Sequence, residues 1–179
     1  QMPSEYICLF YDLKSRNELI NGTGNFLITI MTYQNVVDHY HFITRRGYKM
    51  VFCDESHKLK NIESQRTRLL TPFLHSIEKV ILSTGSPNDE TKHIYPQAHI
   101  LQPALFSNYY QFMDRYACSV KRYPKNRPPY TEYYGKKNIE ELNRLLLEHI
   151  AFRYTREKKL EKDRLLDPTI KTIEKKKIL

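Results

Sequence analysis

Met50-Val51-Phe52-Cys53-Asp54-Glu55-Ser56-His57 is an apolar run that ends in two adjacent carboxylates. Tyr48 to Cys53 reads as a strand, punctuated before it by Gly47. Carboxylates at the end of a buried strand are costly unless a partner or a metal ion offsets their desolvation. In an open parallel sheet, ligands bind at the carboxyl ends of the strands. There, one carboxylate can hold Mg²⁺ while its neighbour orients a water toward a phosphoryl group. The stretch therefore points to nucleotide hydrolysis on an α/β scaffold.

The flanking sequence supports that scaffold. Tyr6 to Tyr11 and Phe26 to Thr32 read as strands, separated by the turn-rich Asn21-Gly22-Thr23-Gly24-Asn25. Gln34 to Thr44 reads as one helix. Ser64 is placed to cap a helix running to about Ser76, with Leu69, Leu70, Phe73 and Leu74 on its apolar face. Lys79 to Ser83 is a further strand, opening into Thr84-Gly85-Ser86-Pro87. Strands alternating with helices of this length imply βαβ units and a parallel sheet. The small-hydroxyl loop Ser83–Pro87 should then lie on the same sheet edge as Asp54 and Glu55, within reach of His57.

Beyond Pro87 the strand pattern stops. Ser107 to Ala117 carries Tyr110, Met113, Tyr116 and Ala117 at helical spacing. Asn138 followed by Glu141 resembles a capping box, with Ile139, Leu142, Leu145, Leu146, His149 and Ile150 as the amphipathic stripe behind it. Between these helices, Lys121 to Lys137 interleaves cations with Pro124, Pro128, Pro129 and four tyrosines, and reads as an ordered loop or protrusion.

Composition narrows the classes. The 179 residues are enough for one domain with a sizeable core. No apolar run reaches membrane-spanning length, and the amino terminus lacks a signal pattern. Residue 1 is Gln rather than Met, so a fragment is expected. Three cysteines without a C-x-x-C pair argue against zinc and a disulfide framework, and for a reducing compartment. The remaining histidines (His39, His41, His75, His93, His99, His149) show no ligand spacing. Net charge is +9, placed unevenly: residues 121–179 hold 17 Lys+Arg against 9 Asp+Glu, and residues 1–120 hold 12 against 11. A basic segment on a nearly neutral core fits a polyanionic partner, and equally a solvated Lys-rich surface.

Asp54-Glu55-Ser56-His57-Lys58-Leu59-Lys60-Asn61 resembles motif II of the Swi/Snf-type helicase-like ATPases, D-E-[SAG]-H-x-x-K-N. Ile81 to Pro87 resembles their motif III, with Thr-Gly-Ser where L-[ST]-G-T-P is usual, and Ile28 to Tyr33 resembles motif Ib. Leu105-Phe106, Phe112 and Arg115-Tyr116 match the family's L-F-x-x-Y-x-x-F-x-x-R-Y stretch. Phe152 to Arg156 resembles its basic R-R-x-K element, with Tyr154 where the second Arg is usual. Within the family the chain is most similar to the HepA-related annealing helicases, the HARP-like group.

The resemblance implies a partial RecA-like lobe: a parallel β-sheet with flanking helices, followed by an α-helical protrusion. Residues 1–91 would be the carboxyl-terminal part of the first lobe, 92–160 the protrusion, and 161–179 a linker toward a second lobe. It implies ATP and Mg²⁺ as cofactors, DNA as partner (duplex or fork-like), and a nuclear location in a eukaryote. Asp54 would bind Mg²⁺ and Glu55 would polarise the attacking water. His57 would bridge to the Thr84, Gly85 and Ser86 loop, coupling nucleotide state to DNA. Thr32, Tyr33, Lys60 and Arg153 would face DNA. No G-x-x-x-x-G-K-[ST] phosphate loop is present in the sequence. Without that cradle the chain by itself is expected not to turn over ATP; the missing parts of its own parent chain would complete it. Two other readings stay open: a non-catalytic degenerate module binding DNA or protein, and an RNA helicase.

Overall fold

A computed structural model describes residues 3–85 and 90–150. The chain divides into two compact units, Gln1–Ile139 and Glu140–Leu179.

In the first unit, strand β1 (Ile7–Leu9) leads into helix α1 (Leu13–Asn21) and returns as strand β2 (Ile28–Ile30). The two strands pair in parallel, Ile7 opposite Ile28 and Leu9 opposite Ile30. Helix α1 was not marked in the sequence by a hydrophobic run, but its ends are. Asp12 accepts a hydrogen bond from the Ser15 amide at 2.8 Å. Gly22, in the left-handed region at φ 70°, ends the helix.

The expected single helix over 34–44 is two short ones, α2 (Tyr33–Asp38) and α3 (Tyr40–Thr44). The break falls at His39, whose backbone leaves helical geometry while its ring packs edge-on against Phe10 at 5.1 Å. Strand β3 (Met50–Cys53), helix α4 (Gln65–His75) and strand β4 (Lys79–Leu82) form a second parallel pair, in register from Met50–Lys79 to Cys53–Leu82. Ser64 caps α4 as expected, its hydroxyl accepting from the Thr67 amide at 3.3 Å.

One core underlies these strands. Cys8, Phe10, Leu19, Ile43, Leu59, Leu70, Phe73, Leu74 and Ile100 are all buried in it. The opposite sides of the strands are open among the described residues: Ile28, Ile30, Met50, Phe52 and Ile81 are exposed. This corrects the expectation of a buried strand before Asp54. Parallel sheets ordinarily have both faces covered, and here β3 is covered on one.

After residue 90 the structure departs from the sequence reading most. Helix α5 (Thr91–Leu101) is not marked as an element in the sequence; it carries Pro96 inside it, and Tyr95, Pro96, Ala98 and Ile100 are buried. In helix α6 (Tyr109–Tyr116) the buried residues are Phe112, Met113 and Tyr116, whereas Tyr110 is exposed. The strand pattern does not stop at Pro87. Strands β5 (Cys118–Arg122) and β6 (Tyr130–Tyr134) form an antiparallel hairpin inside the stretch read as a loop. Its proline-rich tip, residues 123–129, masked the strands on either side.

Helix α7 (Ile139–His149) follows Asn138, which sits at φ 50° and donates its side-chain amide to the Arg115 carbonyl at 2.8 Å. Leu142 is buried on α7, Leu145, Leu146 and Ile150 are half-buried, and His149 is exposed. Ser86, Arg153 and the 152–156 element lie outside the described residues.

Candidate active site at the rim of the parallel strands

Because β3 and β4 run parallel, the chain leaves both at the same end. The Ser83 amide extends the ladder by bonding to the Cys53 carbonyl at 2.9 Å, and the Ser56 amide then bonds to the Ser83 carbonyl at 2.7 Å. Asp54 and Glu55 occupy the turn between those two bonds.

Making that turn puts Glu55 at φ 50°, ψ 47°, in the left-handed region. An L-residue other than Gly or Asn/Asp sits there at a cost of about 1–2 kcal/mol. Three interactions hold it. Asp54 Oδ1 accepts from the Glu55 amide at 3.0 Å. Ser56 is fully buried and donates its hydroxyl to Gln97 Oε1 on α5 at 2.8 Å. The Tyr33 hydroxyl donates to the Asp54 carbonyl at 2.9 Å. A 3-10 turn, Ser56–Leu59, then plugs the buried Leu59 into the core and turns His57 back over the strand ends.

His57 is where the two loops meet. Its Nδ1 lies 3.0 Å from Glu55 Oε2 and 3.4 Å from Thr84 Oγ1. Glu55 is 56% exposed and His57 28% exposed at the side chain. Asp54 is also exposed, so both carboxylates reach solvent instead of carrying the full cost of burial. A carboxylate, an imidazole and a hydroxyl thus share one hydrogen-bonded cluster, with a second carboxylate on the adjoining residue. Gly85 follows Thr84 on the exposed rim.

The residues behind the rim are neutral supports. Burial pushes the Cys53 thiol up to about 11, against an opposing hydrogen bond from Tyr33. A thiol so raised is inert at neutral pH. Burial also raises the Tyr33 phenol, whose ring carries the Arg66 guanidinium 5.6 Å from its centroid. Of the residues expected to face DNA, Thr32 is exposed and caps α2 by accepting from the Asn35 amide at 3.1 Å. Lys60 is exposed at the end of the 3-10 turn. Tyr33 is half-buried and its hydroxyl also steadies the Asp54 loop. Ser56 stands in the quoted motif without a role of its own, and Gln97 and Arg66 carry no signal in the sequence; Gln97 lies on α5, far from Ser56 along the chain.

Among the described residues no three His, Cys, Asp or Glu side chains cluster into a metal cage, and no helix is long and apolar enough to cross a membrane. Cys8, Cys53 and Cys118 are free thiols.

Comparisons to known proteins bear on the family of the chain. The chain is 33% identical over 108 residues to the frog (Xenopus laevis) SWI/SNF-related matrix-associated actin-dependent regulator of chromatin subfamily A-like protein 1, covering 60% of the chain and 11% of that protein. It is 30% identical over 105 residues to the human DNA annealing helicase and endonuclease ZRANB3, covering 58% of the chain and 10% of that protein. It is 26% identical over 138 residues to the Drosophila melanogaster chromatin-remodeling ATPase INO80, covering 76% of the chain and 8% of that protein. The matches span about a tenth of the length of these relatives. The SNF2-related domain family matches residues 7–175, nearly the whole sequence, and the chain belongs to that family.

Proposed function

We propose that the chain is the rim-bearing part of the first lobe of a DNA-dependent ATPase, acting on DNA in the manner of a remodeller or annealing helicase. The observation that carries this reading is the cluster Glu55–His57–Thr84 at the shared end of two parallel strands, with Asp54 beside it. Glu55 would orient the attacking water toward the terminal phosphate of ATP. His57, bonded to both Glu55 and Thr84, would relay the state of that carboxylate to the Thr84–Ser86 loop.

Mg²⁺ favours one or two carboxylates plus water and phosphate oxygens over a dedicated protein cage. Asp54 suits it: an exposed carboxylate with one oxygen steadied by the Glu55 amide, in a region without a three-ligand cluster. The ion would neutralise charge on the phosphates. Asp54 would hold it, and Tyr33 would keep the Asp54 backbone in place.

The phosphate cradle and the transition-state arginines would come from other segments of the parent chain. Supporting this, the outward faces of β2, β3 and β4 present Ile28, Ile30, Met50, Phe52 and Ile81 to solvent, an apolar surface suited to further lobe structure. In this reading residues 1–91 belong to the lobe, 92–160 to the protrusion and 161–179 to the connection onward. Thr32, Tyr33, Lys60 and Arg153 would contact DNA. The relatives named for chromatin and DNA work favour a nuclear location.

The test is Glu55→Gln in the full-length parent. Phosphate release should fall by about 10²-fold or more while ATP affinity stays within a few-fold of wild type by titration. Unchanged turnover would refute the role. Absence of ATP binding in both proteins would favour the second reading, a non-catalytic DNA-binding module, which the missing G-x-x-x-x-G-K-[ST] loop supports.

A further inference from the structure

Strand pairing in the β5–β6 hairpin sets opposite residues on a common face: Cys118 with Tyr134, Val120 with Glu132, and Arg122 with Tyr130. The other face takes Ser119 with Tyr133 and Lys121 with Thr131. These two faces are used differently. Tyr133 is half-buried and donates its hydroxyl to Asp114 on α6 at 2.8 Å, which ties that ring to the body of the unit. Tyr130 and Tyr134 are turned the other way, 53% and 57% exposed, and Tyr123 at the tip is 72% exposed.

Base and surface charge complete the picture. Buried Thr91 donates to the Gly135 and Tyr116 carbonyls at 3.1 and 3.2 Å, and the Lys137 amide bonds to Tyr116 at 2.9 Å, clamping the hairpin at its root. Residues 118–137 carry six Lys or Arg and one acid, Glu132. That acid is already bonded to Arg122 Nε at 2.6 Å, which leaves the ribbon strongly cationic and holds Arg122 on the face that carries Tyr130.

We propose that this hairpin is a stacking platform for single-stranded DNA, with Tyr130 and Tyr134 receiving bases and the surrounding cations tracking the phosphates. It rests on the reading of the chain as a DNA-acting protein. Exposed aromatic rings set among cations are how strands are held without sequence preference, because every base offers a π-face. Duplex DNA hides those faces in its own stack, so the rings favour an unpaired strand. A rigid two-stranded ribbon, clamped at the root, keeps both rings presented before the strand arrives. The rings sit four residues apart on one strand, about 13 Å, so the site spans several nucleotides.

The test uses the 179-residue chain with a fluorescein-labelled oligothymidine long enough to span both rings, and a mixed-sequence duplex of equal length. The chain has no Trp but 14 Tyr, so stacking on these two rings is read as the tyrosine quenching that wild type shows and the Ala variants lose. Tyr130→Ala and Tyr134→Ala should each weaken oligothymidine binding by about 5- to 150-fold, with the salt slope unchanged and duplex binding little altered. Tyr130→Phe and Tyr134→Phe should bind as wild type, since the ring and not the hydroxyl is used. The charge-removing variant Lys125→Ala/Arg127→Ala should lower the salt slope for both probes. If the Ala variants bind oligothymidine as wild type does while salt-dependent duplex binding persists, the platform is refuted and the DNA reading stands. If neither probe binds the wild-type chain at low salt, both fall together. Both rings are solvent-exposed, and unchanged circular dichroism of the variants separates lost stacking from lost folding.

Discussion

The rim and the hairpin solve opposite problems of presentation. At the rim, exposed side chains are placed by buried neighbours: Leu59 is plugged into the core, Ser56 is buried against Gln97, and Glu55 just before them is held in a left-handed conformation. In the hairpin most strand residues are exposed, and among the described residues the root is clamped by Thr91 and Tyr133 is tied to Asp114. A site that must position one carboxylate relative to one phosphorus calls for the first design. A surface that must accept a flexible polymer is served by the second.

If that contrast is right, the core beneath the rim should be costly to disturb and the hairpin cheap. Leu74, buried on α4, should lose about 2–5 kcal/mol of stability when changed to Ala, whereas Tyr130→Ala should stay within about 0.5 kcal/mol of wild type. Urea unfolding of the two variants makes the comparison. Equal losses would show that the hairpin is part of the same cooperative core.

A smaller effect sharpens the idea that the rim holds strain for function. Glu55→Gly should relieve the left-handed backbone cost of about 1–2 kcal/mol, partly offset by the extra unfolded-state entropy of glycine, about 0.5–1 kcal/mol. A net gain of about 0.5–1 kcal/mol is expected, together with loss of hydrolysis in the parent. A destabilised Glu55→Gly protein would mean that the Glu55 side chain, through His57, does more for the fold than its backbone costs.

The smallest effect probes the hairpin's anchor. Burial first, and the hydrogen bond to Asp114 second, push the Tyr133 phenol from 10.0 up to about 12. The neutral form is therefore favoured in the folded state. Its contribution is fully present below pH 10 and is lost as pH rises from 10 toward 12. Since the ring is partly exposed, solvent screening holds the effect to the order of 0.5 kcal/mol. Denaturation measured across that window should fall less steeply in Tyr133→Phe than in wild type. Identical slopes would remove Tyr133 as the anchor.

Much of the rim was legible in the sequence because it is local. Strand, paired acids and His57 fall within eight consecutive residues, and the parallel arrangement of two such strands brings Thr84 to them by topology alone. The missed parts are those that depend on distant partners. Nothing near His39 announces Phe10 across from it, and nothing near Gln97 announces Ser56. Prolines at the hairpin tip obscured the strands on both sides, and α5, with Pro96 inside it, is held by the burial of its neighbours.

Order along the chain thus sufficed for the family, the parallel pairing and the acidic motif, since these follow from hydrophobic period and adjacent residues. Exposure was decided only in three dimensions. Whether Asp54 is buried or wet, and which tyrosines of a mixed basic stretch turn outward, depends on which strand faces other elements cover, and that is a property of packing between segments far apart in sequence.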